Sequence, residues 1–170
     1  MTELGDPGLK RSFSPVADAD TRLLILGSLP GDASLKVQRY YAHPQNGFWR
    51  LVGGAIGADL MALDYESRLR VLLDHRIGLW DVTREAERQG SLDSAIRNAE
   101  ANDLVGLMQT LPHVGTVAFN GGRAAKAGRK LLAGRADLAL IDLPSSSPAY
   151  TLAFAEKAAA WAQLGAALIR

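Results

Sequence analysis

Four short apolar runs recur along the chain, each closed by a glycine, proline or polar residue. They are RLLILGSLPG (22–31), RIGLWDV (76–82), GTVAFNGG (115–122) and DLALIDLP (137–144). Runs of this length without polar alternation predict strands buried on both faces of a parallel sheet. Between them the apolar positions change to helical spacing. Phe48, Leu51, Val52, Ala55 and Ile56 mark one helical face. In DYESRLRVLLDHRIG, Tyr65, Leu69, Leu72 and Leu73 mark another, with Gly78 as the expected stop. SLDSAIRNAEANDLVGLMQTLP carries two expected caps, Ser91 and Asn102, and so predicts two short helices. GGRAAKAGRKLLAG and LAFAEKAAAWAQLGAALIR complete the helical set.

Strands alternating with helices predict βαβ units. The fold class is therefore α/β: one domain, three layers of α/β/α, with a central and mostly parallel four-stranded sheet. Residues 1–20, rich in Gly, Pro, Ser and Asp, read as an N-terminal arm or tail, and 21–170 as the domain. In open sheets of this class ligands bind beyond the carboxyl ends of the strands. Those ends are Gly27-Ser28-Leu29-Pro30-Gly31, Asp81, Asn120-Gly121-Gly122 and Pro144-Ser145-Ser146-Ser147-Pro148.

Composition narrows the chemistry. The chain has no cysteine, which removes disulfides, Cys-ligated zinc, iron–sulfur clusters and a cysteine nucleophile. Its three histidines, His43, His75 and His113, lack metal-ligand spacing, so neither a metal nor a cofactor is expected. His75 and His113 read as structural. No apolar run approaches a membrane span and no signal-peptide pattern opens the chain, so a soluble cytoplasmic protein is expected. The net charge of +1 names no partner. Two segments, 33–58 and 121–136, carry bases and no acids, which suits either solvated helix surfaces or a face toward a polyanion.

One stretch concentrates possible chemistry: YYAHPQNGFW, residues 40–49, with four aromatic rings and a histidine in ten positions. Asn46 is placed to cap the helix that begins near Phe48, and Phe48 and Trp49 could be plain core. Tyr40, Tyr41 and His43 precede that helix on a loop over the strand rim, where a planar ligand between rings is the natural reading. GSLPGD brings backbone amides close to a ligand but matches neither a dinucleotide fingerprint nor a phosphate loop. Asp81 could accept a ligand N–H or cap a following helix, and Asn120 has the same two readings. LPSSSPAY sets three hydroxyls between prolines, suited to phosphate oxygens or to a capping turn. A serine nucleophile at Ser146 or Ser147 lacks the G-x-S-x-G elbow.

The order LLILGSLPGDxSLxxxxYYAHPxNxFW, LWDVxxxAxRxGSLDxxI, FNGxxA and LPSSSPA resembles the uracil-DNA glycosylase superfamily, in its hypoxanthine-DNA (deoxyinosine) glycosylase branch. The resemblance spans residues 21–161 and implies a monofunctional DNA glycosylase of base-excision repair. Such an enzyme flips out a deaminated base (hypoxanthine, uracil or xanthine) and hydrolyses its N-glycosidic bond. It further implies that Gly27, Ser28, Leu29, Pro30, Tyr41 and His43 surround the base, Phe48 stacks on it and Asp81 reads its edge. By the same pattern Asn46 positions the attacking water, and Ser145, Ser146, Ser147 and Tyr150 grip DNA. Tyr150 and Leu152 are the candidates for the residue that wedges into the helix. The partner implied is DNA, with a monomer acting on it. The chain departs from the uracil-specific enzymes at Ser28-Leu29 and Leu143-Pro144, where those carry an aspartate and a histidine. A nucleic-acid or nucleotide binder without catalysis is the alternative reading.

Overall fold

The computed structural model describes residues 8–169. Among the described residues, seven strands follow one another as β1 (Leu9–Arg11), β2 (Leu23–Gly27), β3 (Ile77–Asp81), β4 (Thr83–Glu87), β5 (Arg97–Ala101), β6 (Thr116–Asn120) and β7 (Ala139–Leu143). The helices are α1 (Asp32–Val37), α2 (Phe48–Ile56), α3 (Tyr65–Asp74), α4 (Leu104–Thr110), α5 (Gly122–Leu131), α6 (Phe154–Trp161) and α7 (Gln163–Ile169).

The four apolar runs form the expected parallel sheet, in the order β3-β2-β6-β7. Every residue of β2 is buried, as its place in the middle requires. Side chains alternate across the pleat, so one strand feeds two cores. Leu23 and Ile25 of β2 join Ile77, Leu79 and Ala118 under α2, α3, α6 and α7, where Phe48, Trp49, Leu72 and Trp161 pack. Leu24 and Leu26 join Val117 and Phe119 under α4 and α5, against Leu104, Met108, Ala124 and Ala125. At about 1.5–3 kcal/mol for each large apolar side chain removed from water, these two clusters hold the three layers together. Gly128 lets α5 lie directly on the sheet, because a Cβ there would stand 2.2 Å from the Phe119 ring.

The segment before β2 lies along the edge of the sheet. Val16 and Leu79 exchange two backbone hydrogen bonds of 2.9 and 2.8 Å, and the Trp80 indole N–H donates to the Phe13 carbonyl. This covers the free edge of β3, which would otherwise present unpaired backbone groups. Further back, β1 pairs antiparallel with β4, and β4 with β5, giving a second sheet of order β1-β4-β5.

Two local expectations are corrected. The stretch 91–101 is not a helix: a 3-10 turn at Asp93–Ala95 leads into β5, which pairs with β4 through irregular register. Its charges at Arg97 and Glu100 mimic a helical face, but cross-strand pairing decides the outcome. Ser91 and Asn102 therefore do not cap helices that follow them in the chain; α4 is capped by Asp103, whose carboxylate accepts from the Gly106 N–H. Gly78 does not stop α3 but sits inside β3. The helix ends at His75, and Arg76 makes the reversal with φ 63°.

Candidate active site

Beyond the carboxyl ends of β2, β3 and β6 lies a cavity of about 560 Å³, lined from Gly27–Ser34, Tyr40–Asn46, Asp81, Ser91–Ser94, Asn120 and Ser145–Tyr150. Strand geometry explains its floor. Gly27 and Asp81 are register partners at the ends of β2 and β3, so the Asp81 side chain emerges beside the glycine. A Cβ on Gly27 would meet the Asp81 carboxylate at 2.6 Å and the Tyr41 hydroxyl at 2.9 Å, so only glycine fits there. Because β4, not a helix, follows Asp81, its reading as a helix cap is excluded.

Asp81 is buried, and its Oδ2 has no hydrogen-bond partner among the described residues. Burial first and then the negative charge of Asp93 raise its pKa to about 7, against the opposing pull of Arg88. The carboxyl can therefore keep its proton near neutrality, and in that form it offers one donor and one acceptor. Beside it, burial and the Asp81 charge push the Tyr41 phenol upward, so it stays protonated. Its hydroxyl too has no partner among the described residues.

Tyr41 also corrects the role expected of Phe48. The Phe48 ring is 0% exposed and does not reach the cavity. It opens α2 turned inward, edge-on to Trp49 and Trp161, and its cavity-side face is covered by Tyr41, stacked at 3.8 Å and 15°. Of the two rings, Tyr41 is therefore the one that lines the cavity. Its backbone sits at φ 53°, a left-handed conformation costly for a bulky residue and typical of functional loops. Tyr40 has a different duty: its hydroxyl donates to the Ser14 carbonyl, and its ring packs edge-on against Phe13.

Asn46 lines the cavity and, one residue before the Gly47 N-cap, supports the start of α2, its Oδ1 accepting from the Phe48 N–H at 3.0 Å. That leaves the Nδ2 group and a second Oδ1 lone pair for a water or ligand. His43 is exposed on the rim, its Nδ1 accepting from the Gln45 N–H.

The serine loop is built onto the same floor. Asn120, buried at the end of β6, donates to Ser146 Oγ at 2.9 Å and accepts from the Ser146 N–H at 2.9 Å. This reciprocal clamp answers the two readings of Asn120, since α5 is capped by Gly121 instead. Ser146 is consequently the deepest of the three serines, while Ser145 and Ser147 are half-buried. The Gly47 N–H donates to the Ser146 carbonyl, tying the loop to the start of α2. Tyr150 stands 49% exposed at the mouth, and Leu152 does not line the cavity.

Several contributors escaped the sequence reading. Lys157 of α6, nearly buried, donates to the Ser147 carbonyl at 3.0 Å and lies over the Tyr150 ring. Burial lowers its pKa. The Trp161 indole donates to the Pro144 carbonyl. Arg88, 2% exposed, donates to the Pro30 and Gly90 carbonyls behind the first turn. The only sequence hint of Arg88 was its place in the A-x-R-x-G-S-L-D pattern; Lys157 left none beyond a lone base in an alanine-rich helix. Among the described residues, no group of three or more acidic, histidine or cysteine side chains could hold a metal, and no helix is long and apolar enough to cross a membrane.

Comparison with known proteins bears on this cavity. The model of the uracil DNA glycosylase superfamily matches residues 14–165. A hypoxanthine DNA glycosylase of Methanosarcina acetivorans is 48% identical over 118 residues, 69% of this chain and 75% of that one. A hypoxanthine DNA glycosylase of Methanosarcina barkeri is 44% identical over 117 residues, 69% of this chain and 74% of that one. A solution NMR structure from Methanosarcina acetivorans, of a protein proposed to be a uracil DNA glycosylase, superposes with a TM-score of 0.85. It is 42% identical and covers 95% of this chain and 99% of that chain.

Proposed function

This chain belongs to the uracil DNA glycosylase superfamily, and from that membership and the cavity we propose that it excises hypoxanthine from DNA. It is a DNA glycosylase of base-excision repair, similar over most of its length to hypoxanthine DNA glycosylases. In the overall reaction the bond between C1′ and the base nitrogen breaks with its electron pair passing to the base. The oxygen of a water then bonds to C1′, and a hydrogen of that water ends on the released base. The product is an abasic site.

The observation that carries recognition of a deaminated base is Asp81, and the choice of hypoxanthine among such bases rests on the relatives. A carboxyl group with its proton presents one donor and one acceptor side by side. That pair complements the N1–H and C6=O edge of hypoxanthine, and the N–H and C=O edges of uracil and xanthine likewise. Guanine shares this edge, but it is held in a strong pair with cytosine, and flipping costs least for a mispaired base. Once the base is extruded, Tyr41 backed by Phe48 supplies the stacking face. Asn46, on the wall beside it, holds the attacking water. A weakly basic amide suffices because glycosidic cleavage passes through a cation-like sugar that water attacks readily once oriented.

The rim meets the rest of the DNA. Ser145 and Ser147 offer hydroxyls to flanking phosphates, with Lys157 fixing the loop from below. Tyr150 is the exposed ring at the mouth, placed to enter the space the base vacates. The enzyme is proposed to act as a monomer that encloses a single flipped nucleotide. The test is incubation with labelled duplexes carrying one hypoxanthine, uracil or xanthine, followed by alkali. Cleavage at hypoxanthine is expected; intact hypoxanthine duplexes beside cleaved uracil ones would overturn the choice of base.

A further inference from the structure

Ser28 opens the turn after β2 and lines the cavity, with its side chain nearly buried. It donates a 2.6 Å hydrogen bond to the Asp93 carboxylate. O–H···O⁻ bonds of this length are the strong, charge-assisted kind. Asp93 reaches that position from the connection between β4 and β5, sixty-five residues away in the chain.

That connection is tied to the first turn at two other points. Ser91 Oγ accepts from the Asp32 N–H at 2.9 Å, and Arg88 donates to the Pro30 carbonyl at 2.5 Å. The segment 88–93 is thus moored along 28–32 without any help from Asp93. Closing the turn does not require a charge there, and the charge is unfavourable to its neighbourhood, since Asp93 works against ionisation of Asp81 in the same cavity. Local cost of this kind is tolerated at sites where it serves the chemistry.

Depth indicates what it serves. Asp81 lies on the floor, 3% exposed, and Leu92, 55% exposed, marks the mouth. Asp93 is half-buried between them, on the lining. A flipped nucleotide entering base-first puts its sugar at that level. We propose that Asp93 is a positioning residue for bond cleavage, holding a negative charge through Ser28 against the sugar, where positive charge develops as the base leaves. This inference rests on the glycosylase reading of the cavity.

The test is single-turnover cleavage of a hypoxanthine duplex by the full chain and its variants Asp93→Asn, Ser28→Ala and the pair together. Affinity for a duplex carrying slowly cleaved 2′-fluoro-deoxyinosine is measured alongside. Asp93→Asn keeps an acceptor for Ser28 and removes only the charge. Its rate is expected to fall about 10- to 100-fold with affinity and melting temperature unchanged. Ser28→Ala is expected to fall comparably, and the pair no further than the worse single, because both act through one hydrogen bond. Wild-type cleavage with an equally fast Asp93→Asn would overturn the inference alone. So would a rate loss matched by lost affinity or melting temperature, which would make Asp93 a structural tie. A wild-type protein that leaves all lesion duplexes intact would overturn the glycosylase reading, and this inference with it.

Discussion

The parallel sheet reaches the cavity with its strand ends and the small antiparallel sheet only with its β4–β5 connection, and the two are held together by different physics. In the first, β2 and β3 are almost wholly buried and apolar, and their strength comes from packing on both faces. In the second, every residue of β5 is exposed, and the buried apolar contribution shrinks to Leu29, Ala86 and Ile96. Polar ties take over: Arg88 to Pro30, Ser28 to Asp93, and Asn102 Nδ2 to the Asp81 carbonyl at 2.8 Å. The parallel sheet is a platform that fixes where Asp81 and Asn120 stand. The antiparallel sheet is an attachment that brings a second polar wall over that platform.

The sharpest break of this comparison is expected on the platform side. Asn46→Ala should lower the cleavage rate at least about 100-fold, while losing its bond to the start of α2 costs only about 1 kcal/mol. Full activity with a lowered melting temperature would reduce Asn46 to a support for the helix start. Next in size is Asp81→Asn. The native pKa of Asp81 is raised to about 7 from 3.8, so its protonated form stabilises the fold at low pH and that contribution is lost as pH rises through 7. The amide has no such loss. Asp81→Asn should therefore gain stability over wild type, on the order of 2–4 kcal/mol at pH 8 and little at pH 4, as read by denaturant titration.

On the attachment side, Arg88→Ala leaves the Pro30 and Gly90 carbonyls without their donor. A loss of about 1–3 kcal/mol is expected, with faster amide exchange in β4 and β5 and unchanged exchange in β2 and β6. Uniform acceleration across both sheets would show that the attachment does not open separately. The smallest effect belongs to the rim. Tyr150→Ala should slow cleavage of hypoxanthine in duplex DNA about tenfold and leave single-stranded DNA nearly unaffected, because only a duplex has a gap to fill. Equal slowing on both would make Tyr150 part of the pocket.

The same division governs what could be read in the chain. The four platform strands and the α2 stripe were legible because burial on both faces writes a continuous apolar run, and one-sided burial writes a helical period. The rim followed from strand polarity, which placed Gly27–Gly31, Asp81, Asn120 and the serine loop together. The attachment wrote no such pattern. β5 is Arg-Asn-Ala-Glu-Ala with no buried face, and its place depends on pairing with β4. Contacts such as Ser28–Asp93 and Arg88–Pro30 span 65 and 58 residues and leave no local period. Phe48 was misplaced for a related reason. Its spacing marks the inward face of α2 correctly, but only the left-handed turn at Tyr41 reveals which ring faces the cavity.

Reading of the base by the Asp81 carboxyl is tested most directly by the pH dependence of single-turnover hypoxanthine excision in wild type and Asp81→Asn. The groups facing Asp81 are Tyr41 from its loop, Arg88 from beyond β4 and Asp93 from the next turn, and all three are unchanged in the variant. Wild-type rate should fall as pH rises through about 7, when Asp81 loses the proton it donates. The variant, whose amide offers a donor and an acceptor at any pH, should hold its rate across that window and overtake wild type above it. A parallel decline in both proteins, or a flat wild-type profile, would contradict the role given to Asp81.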